Sequence, residues 1–431
     1  MRVLVTGAYG LIGSHVAARL HADGHRIVGA GRSIASARRR WPHYDWVEAD
    51  FRKLTRAENW AALVGGVDAV VNCVGVLQDS PTEDIRAAHV LGADALFAAC
   101  ERAGIRRVIQ ISAVGLDDAI DTGFARTKRE AEERLRARNL DWIILRPSLV
   151  IAPGAWGGGA LIRALAALPF VLPVTGGNRL FQPVDIEDVT ATVSFFLRPG
   201  APSRLTLALG GPEPMRLADI VMAFRAWLGL APARVLRVPD RLAAPVYRLG
   251  DLAARLGWRP PLRSTAGRQL AFGALADPAE WSAVTGIVPK SLAETLARRP
   301  STVQDRWFAR LYLLKPVAIV VLALYWIVTG LVSIGPGGAQ GVALLAQAGF
   351  GGFADAAVLA GGLVDMALGA ALLVRRAAKP ALQAMLAVSL FYLAAGTAVL
   401  PGLWADPLGP LLKVLPIMAL ALMLLAVLDE R

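Results

Sequence analysis

Residues 2–13 read RVLVTGAYGLIG, an apolar run that is broken by glycines and then resumes with helical spacing. The glycines stand at Gly7, Gly10 and Gly13, directly after Thr6. Gly7 allows a tight turn, Gly10 lets the backbone approach a pyrophosphate, and Gly13 lets the helix pack close to the strand. The stretch therefore predicts a strand, a turn and a helix whose first N–H groups face a dinucleotide phosphate.

The surroundings of these glycines strengthen that interpretation, since Gly is 42 of 431 residues and an ordinary glycine turn is the alternative. The preceding run is fully apolar, as a central parallel strand should be, and helical periodicity follows the loop. We expect the cofactor loop to comprise Thr6, Gly7, Tyr9, Gly10, Leu11, Ile12 and Gly13.

Charge is distributed unevenly along the chain. The formal net charge is +12 and 55% of the residues are hydrophobic. Residues 316–431 hold five basic and five acidic side chains, which leaves 41 basic and 29 acidic ones in the first 315 residues. The first part is basic and water-facing, whereas the last is nearly free of charge.

The last part contains four apolar runs, each close to the ~20 residues that cross a bilayer. Buried core helices are the alternative, but four successive runs separated by Gly/Pro loops favour an all-α four-helix membrane domain after a linker at 301–315. The predicted spans are 316–334, 356–374, 381–400 and 411–428.

Lysines and arginines predict the orientation. They precede the first predicted span and lie between the second and third, whereas the loops around Gly338 and Asp406 have none. By the positive-inside rule, the N-terminal domain and the C-terminus are cytoplasmic at a bacterial-type inner membrane. The first residues are too glycine-rich for a signal peptide. The cations are Arg306, Arg310, Lys315, Arg375, Arg376 and Lys379.

The second predicted strand carries the signal for cofactor choice. An NAD site places an acid at its end, but here Arg32 follows Gly31. A guanidinium binds a 2′-phosphate bidentately, so NADP is favoured over NAD. The alternative is a solvated arginine among the neighbouring arginines.

Strand and helix patterns alternate through residues 1–150 and predict an α/β Rossmann domain with a doubly wound parallel sheet. Residues 151–300 should form a small substrate lobe that returns to the sheet. Ligands bind such sheets at the carboxyl ends of the strands. The candidate cofactor residues at those ends are Asp50, Phe51, Asn72, Val74, Gly75 and Pro147.

Six segments in order, TGAYGLIG, ADF, NCVG, QISAVG, FARTK and LRPS, resemble the extended and atypical branches of the short-chain dehydrogenase/reductase superfamily, the NAD(P)-dependent epimerase/dehydratase-like proteins. The SAVG segment and His89 are most similar to the nucleotide-binding accessory subunit of respiratory complex I. The resemblance covers roughly residues 1–300. From Arg306 onward the chain resembles the DoxX-like four-helix membrane family.

The resemblance implies catalytic roles. In that superfamily a Ser positions the substrate carbonyl, a Tyr transfers a proton, and a Lys four residues later holds the nicotinamide ribose and lowers the Tyr pKa. Ser112 and Lys128 match, but the Tyr position is Phe124, and a phenyl ring has no proton to give. Lys128 could instead be a solvated lysine. Tyr9 and His89 are the remaining proton-donor candidates, although such a helical His more often packs or hydrogen-bonds.

Three features of the later chain have open interpretations. Gln182 and Pro183 should lie near the substrate pocket. Asp185 should either lie there with them or form the N-cap of a helix. The amphipathic stretch 238–258 is either a core-facing helix, which we favour, or a membrane-surface helix. Asp365, in the second predicted span, is either a proton or substrate site or a packing residue inside the bundle.

Two functions follow from these patterns. The first is a membrane-anchored, NADP-preferring oxidoreductase or isomerase with a lipophilic or quinone-like substrate. The second is a non-catalytic NADPH-binding module that stabilises or regulates a membrane protein complex. Nucleic acid is not expected, because an anionic cofactor and the bilayer account for the basic excess. The histidines and the cysteines, Cys73 and Cys100, lack metal-ligand spacing, so no metal is expected.

Overall fold

A computed structural model describes residues 1–76, 84–116, 121–175 and 178–428. The chain divides into two units. The first comprises Met1–Leu252 with Pro260–Ala309, and the second comprises Ala253–Arg259 with Arg310–Arg431. The apolar periodicity of residues 81–103 predicts a helix, whose start lies outside the described residues, as do the last three residues of the predicted membrane domain.

The first unit is built on a parallel seven-stranded sheet with the order β7-β6-β5-β4-β1-β2-β3. This order confirms the predicted doubly wound Rossmann sheet. Strand β1 lies inside the sheet, between β4 and β2, and its side chains are buried on both faces. Val3 and Val5 pack into one hydrophobic cluster, and Leu4 packs into another. The strands are β1 Arg2–Thr6, β2 Arg26–Gly31, β3 Asp45–Glu48, β4 Ala69–Asn72, β5 Arg107–Ile111, β6 Asp141–Pro147 and β7 Leu205–Leu209.

Helices follow the first five strands and supply the apolar residues that cover the sheet. A π-helix at Ala87–Leu91 leads directly into the fourth of them. The helices are α1 Leu11–Ala22, α2 Ala35–Arg40, α3 Ala57–Val64, α4 Gly92–Arg102 and α5 Gly123–Arg136.

The lobe contains short strand pairs and seven helices among the described residues. Its pairs are Val150–Ile151 with Val184–Asp185, Leu180–Phe181 with Met215–Arg216, and Val171–Val174 with Arg234–Arg237. Its helices are α6 Gly157–Ala166, α7 Ile186–Phe196, α8 Leu217–Trp227, α9 Asp240–Arg255, α10 Ser264–Leu270, α11 Ala279–Thr285 and α12 Leu292–Ala297.

Helix α9 corrects one expectation. We favoured a core-facing helix for this stretch, but Leu242, Val246, Leu249 and Leu252 are all exposed. A different face of α9 packs against the lobe. It is formed by small residues and Tyr247, and Gly250 lets the helix backbone come close to the chain at Leu262.

The second unit is helical. Three helical stretches are long and apolar enough to cross a membrane: Val303–Ile334, Gly338–Leu373 and Arg375–Val399. Residues 303–315, expected to be a linker, are therefore the first turns of a helix. The helices are α13 Val303–Ile334, α14 Gly338–Leu345, α15 Ala354–Leu373, α16 Arg375–Val399 and α17 Val414–Val427, with short helical turns at Ala346–Phe350, Gly351–Phe353 and Pro401–Trp404.

The fourth predicted span is shorter than expected. Helix α17 has 14 residues, because residues 411–413 form turns and the helix begins only at Val414. Its last described carbonyl, at Leu428, accepts hydrogen bonds from Lys315 Nζ at 3.2 Å and Arg375 Nη2 at 3.3 Å. The end of α17 therefore lies at the same end of the bundle as the α15–α16 junction, as expected for four antiparallel helices.

Small residues allow close packing inside this bundle. A Cβ atom at Gly369 would lie 2.6 Å from the Ala323 carbonyl oxygen, so α13 and α15 touch through their backbones. Asp365 is buried in the bundle, and the Tyr392 hydroxyl donates to its carboxylate at 3.4 Å. Tyr392 is thus the polar neighbour that the sequence pattern did not reveal.

Candidate dinucleotide site

The glycine loop has the backbone geometry that a phosphate cradle needs. Gly7 has a φ of +64°, a conformation that other residues rarely adopt. The Gly10 N–H donates to the Gly7 carbonyl at 2.8 Å, and Gly10 is the N-cap of α1. A Cβ atom at Gly13 would lie 2.2 Å from the Gly7 carbonyl oxygen. Only glycine fits at position 13. The N–H groups of the first turn of α1, which include those of Leu11 and Ile12, have no acceptor within the helix.

Tyr9 joins this loop to the end of β2. Its ring packs so closely that a Cβ atom at Gly31 would lie 2.2 Å from it. Its hydroxyl accepts hydrogen bonds from the N–H groups of Arg32 at 3.1 Å and Ser33 at 3.4 Å. Tyr9 therefore braces the backbone that carries Arg32, and its hydroxyl is bound at the β2 end rather than beside Phe124.

A second arginine accompanies Arg32. The Arg52 guanidinium binds the Asp50 carboxylate through Nε at 2.9 Å and Nη2 at 2.6 Å. These bonds, opposed in part by burial, lower the pKa of Asp50, and the positive charge of Arg32 lowers it further. Phe51 is buried beside Trp60. With one carboxylate between two guanidinium groups, the end of β2 keeps a net positive charge. Sequence reasoning missed Arg52, whose signal was its position two residues after Asp50.

A buried hydrogen-bond chain crosses the carboxyl ends of three strands. Thr6 Oγ1 donates to Asn72 Oδ1 at 2.6 Å, and Asn72 Nδ2 donates to Gln110 Oε1 at 2.8 Å. Asn72 Oδ1 also accepts from the Val74 N–H at 3.2 Å. Thr6 and Asn72 are therefore occupied beneath the cradle and fix the backbone around it. Gln110, which the sequence analysis did not select, completes the chain.

Lys128 is buried at this edge. Its Nζ donates to the carbonyls of Val74 at 3.2 Å and Ile111 at 3.1 Å, which uses two of its three donors. Burial lowers its pKa from 10.5 to about 8, although the Glu132 carboxylate acts in the opposite direction. Its Nζ lies 3.8 Å from the position that a Cβ atom would take at Gly75. The solvated-lysine alternative is therefore wrong.

His89 lies in the π-helix and fixes the same loop from its other side. Its Nε2 accepts the Val76 N–H at 2.8 Å, and its Nδ1 lies 2.9 Å from Thr127 Oγ1. The network assigns the proton to Nδ1, since Nε2 accepts. Burial, with a contribution from the charge of Lys128, lowers the His89 pKa well below its usual value. His89 is neutral with both nitrogens engaged, so it holds the loop.

Ser112 follows β5, and its N–H donates to the Leu145 carbonyl at 2.7 Å. Its hydroxyl lies beside the buried Glu132 carboxylate, although it makes no hydrogen bond of good geometry within the described residues. Burial raises the Glu132 pKa, but hydrogen bonds from Arg146, at 2.9 and 2.5 Å, and the Ser112 contact bring it below its usual value. Ser112 thus sits against an ionised carboxylate.

Phe124 occupies the first turn of α5, which Thr122 caps by accepting the Ala125 N–H at 3.1 Å. Its ring is partly buried and meets the His89 ring edge-to-face, with centroids 5.8 Å apart. Gln269 of α10 donates to Thr122 Oγ1 at 2.6 Å, so the lobe reaches this turn. Phe124 therefore packs against His89 in a turn that the lobe contacts, and its phenyl ring has no proton to transfer.

Two predicted lobe residues, Gln182 and Asp185, make structural hydrogen bonds, and the predicted cofactor residue Pro147 ends a strand. Gln182 donates to the Gly211 carbonyl and accepts from the Ala276 N–H, both at 2.9 Å, and is buried. Asp185 is the N-cap of α7 and pairs with Arg299 at 2.7 Å. Pro147 ends β6, and its carbonyl accepts the Val114 N–H at 3.2 Å. Both polar atoms of the Gln182 amide are therefore engaged inside the lobe, and the place of Gln182 and Pro183 near a substrate pocket stays a prediction.

Comparison with known proteins assigns both parts of the chain. Residues 7–159 match the model of the NAD(P)H-binding family, and residues 323–422 match that of the DoxX-like family. The chain joins an NAD(P)H-binding domain to a DoxX-like domain. The resemblance drawn from the sequence is confirmed at this level.

Two known relatives each match more than half of the chain. A ceramide reductase from Caulobacter vibrioides is 25% identical over 244 residues, which are 55% of this chain and 74% of the relative. The 40 kDa subunit of mitochondrial NADH-ubiquinone oxidoreductase from Neurospora crassa is 26% identical over 261 residues, 59% of this chain and 66% of the relative. The complex I likeness is thus confirmed.

A solved structure shows the fold. The dTDP-glucose 4,6-dehydratase from Bacillus anthracis, determined with NAD, superposes with a TM-score of 0.53 at 16% identity, covering 71% of this chain and 96% of that one. The NAD(P)H-binding domain therefore has the fold of the epimerase and dehydratase group.

Proposed function

We propose that the protein is a membrane-anchored, NADPH-dependent reductase of a lipophilic carbonyl substrate. The observation that carries the proposal is Lys128, held by two backbone carbonyls beside Gly75 at the end of β4. A buried lysine with a lowered pKa, next to a glycine loop that fits a pyrophosphate, is typical of a working site.

The residues present fit a dinucleotide. The first-turn N–H groups of α1 would bind the pyrophosphate, because they have no acceptor within the helix and Gly13 lets α1 pack directly against the Gly7 turn. Arg32, on the backbone that Tyr9 braces, would pair with a 2′-phosphate, and Arg52 keeps Asp50 from repelling it. NADP is therefore the preferred cofactor.

The chain's own residues would prepare the reaction as follows. The bound cofactor supplies a hydride. The third N–H of Lys128 would hold the nicotinamide ribose, and Ser112 would orient the substrate carbonyl. Because Phe124 has no hydroxyl, the proton must reach the product oxygen from Lys128, through a ribose hydroxyl, or from water. With a pKa of about 8, Lys128 is protonated at neutral pH and can release that proton.

The substrate class follows from the membrane helices and from the relative. The chain carries its own apolar spans, and the Caulobacter vibrioides relative is named for reducing a ceramide. A protein that combines a reductase domain with membrane helices would reduce a substrate dissolved in the bilayer, such as a long-chain lipid ketone or a quinone.

A second function has its own support. The Tyr position holds Phe124, His89 is locked by two hydrogen bonds, and the Neurospora crassa relative is a respiratory-complex subunit. A non-catalytic NADPH-binding module that stabilises a membrane assembly is the alternative function.

Turnover separates the two functions. The full-length protein in nanodiscs is mixed with NADPH and a panel of long-chain ketones, 3-oxoacyl lipids and quinones, and NADPH loss and product are measured. A reductase consumes NADPH with one of these substrates and loses that activity in Lys128→Met but not in Lys53→Met, a matched change at an exposed lysine. Tight NADPH binding without turnover by any substrate would favour the binding module.

A further inference from the structure

Helix α9 carries an apolar stripe that the described chain leaves uncovered. Leu242, Val246, Leu249 and Leu252 are 65%, 47%, 64% and 52% exposed. Their spacing of three or four residues places them along one side of the helix. Soluble surfaces rarely present such a continuous apolar stripe without a partner.

The rest of α9 already serves the lobe. A Cβ atom at Gly250 would lie 1.8 Å from the Leu262 carbonyl oxygen, and Tyr247 contacts Gly267 and lies 3.1 Å from Thr175 Oγ1. These contacts fix the helix through another face. The exposed stripe is therefore not needed to fold the lobe and is free for a separate partner.

Arginines line one edge of the stripe. Arg241, Arg248 and Arg255 are exposed and recur every seven residues, which keeps them on one side of the helix. The nearby Asp251 is engaged by Ser264 and by Arg263. An apolar face bordered by exposed cations is complementary to a bilayer surface, where the acyl chains meet the apolar residues and the lipid phosphates meet the cations.

The residues after α9 are attached to the end of a membrane helix within the second unit. The Leu256 carbonyl accepts the Arg375 N–H at 2.9 Å, and Trp258 Nε1 donates to the Leu373 carbonyl at 2.7 Å. The Arg375 guanidinium stands 5.4 Å over the Trp258 ring. Trp and Arg at the end of a span are residues that anchor at the membrane–water interface.

We propose that α9 is an interfacial helix that binds the headgroup layer of an anionic bilayer. Its leucine and valine stripe enters the acyl boundary while its arginines meet lipid phosphates. The chain continues from α9 directly into residues held at the end of a span, so this bilayer is the one that the DoxX-like domain crosses. The proposal is independent of whether the NAD(P)H-binding domain turns over a substrate.

Spin labels test this directly. Full-length protein in which Cys73 and Cys100 are alanine receives a label at Leu242→Cys or Leu249→Cys, with Val288→Cys, in an exposed loop of the same unit, as control. In nanodiscs that contain anionic lipid, collisions with oxygen should exceed collisions with an aqueous nickel chelate at both stripe positions. The control should show the reverse.

A second measurement tests the arginines. Arg241→Gln, Arg248→Gln and Arg255→Gln together should lower the oxygen preference at Leu249→Cys several-fold in anionic nanodiscs and much less in neutral ones. Labels equally open to nickel at all positions would overturn the proposal, because the stripe would lie in water. Labels shielded from both reagents would also overturn it, since a second copy or another protein would then cover the stripe.

Discussion

Replacing Lys128 by methionine removes one buried charge and keeps a side chain of similar length. Burial lowers the pKa of this lysine from 10.5 to about 8, so holding it charged in the folded state costs about 3 kcal/mol. Methionine avoids that cost but leaves the carbonyls of Val74 and Ile111 without their donor, at about 1 to 3 kcal/mol each. At neutral pH these effects oppose each other, and we expect a modest change in the free energy of unfolding.

The pH dependence is the sharper signature. The folded-state pKa lies below the unfolded value, so between pH 8 and 10.5 the unfolded chain binds more protons and wild-type stability rises with pH. The free energy of unfolding of wild type should gain about 3 kcal/mol relative to Lys128→Met across this window and nothing below it. Melting temperatures of both full-length proteins, measured in detergent from pH 7 to 10.5, report this difference.

NADPH titrations complete the experiment. Loss of a charged hydrogen bond of about 1.5 to 3 kcal/mol should weaken NADPH binding roughly 10- to 100-fold in Lys128→Met. Wild-type affinity should fall as the pH passes about 8, whereas the variant should show no such step. A constant difference in melting temperature between the two proteins, with equal NADPH affinity, would refute the assignment of Lys128 as a buried, cofactor-facing cation.

Three further results are expected. Arg32→Glu should weaken NADPH binding at least tenfold more than NADH binding, with Arg39→Glu as the exposed control; equal losses for both cofactors would count against a 2′-phosphate contact. Phe124→Tyr should raise carbonyl reduction by up to about 10² to 10⁴-fold, and an unchanged rate in an active enzyme would mean that another group carries the proton. A cysteine at Gly338 should react with an impermeant thiol reagent in intact cells, whereas one at Arg376 should react only after lysis; the opposite pattern would reverse the topology.

The cradle was readable from sequence because its requirements are local. The backbone has a positive φ at Gly7, and α1 comes very close to the Gly7 turn at Gly13. Each position therefore requires glycine, and the two glycines stand at a fixed spacing in the sequence. Strand β1 was equally readable, since a strand buried on both faces is apolar throughout. The position of Lys128 followed from its resemblance to a known family, but its burial depended on the fold.

The parts that sequence reasoning missed depend on partners from distant segments. Gln110 matters because parallel pairing places β5 beside β4, and Arg52 matters because its side chain turns back onto Asp50. Helix α9 was misjudged because periodicity reveals an apolar face without revealing what covers it. For the same reason Tyr392 could not be paired with Asp365 before α15 and α16 were seen together.

The loop after β4 is held on both sides of Gly75. Lys128 binds the carbonyl of Val74, and His89 binds the N–H of Val76. Because Val74 and Val76 are both held, the backbone at Gly75 is already ordered in the folded protein. A ligand that binds there therefore loses little free energy to the ordering of this segment. Binding should then be fast and close to lock-and-key at this end of the cofactor, with affinity set by how readily the cofactor leaves rather than by rearrangement of the protein.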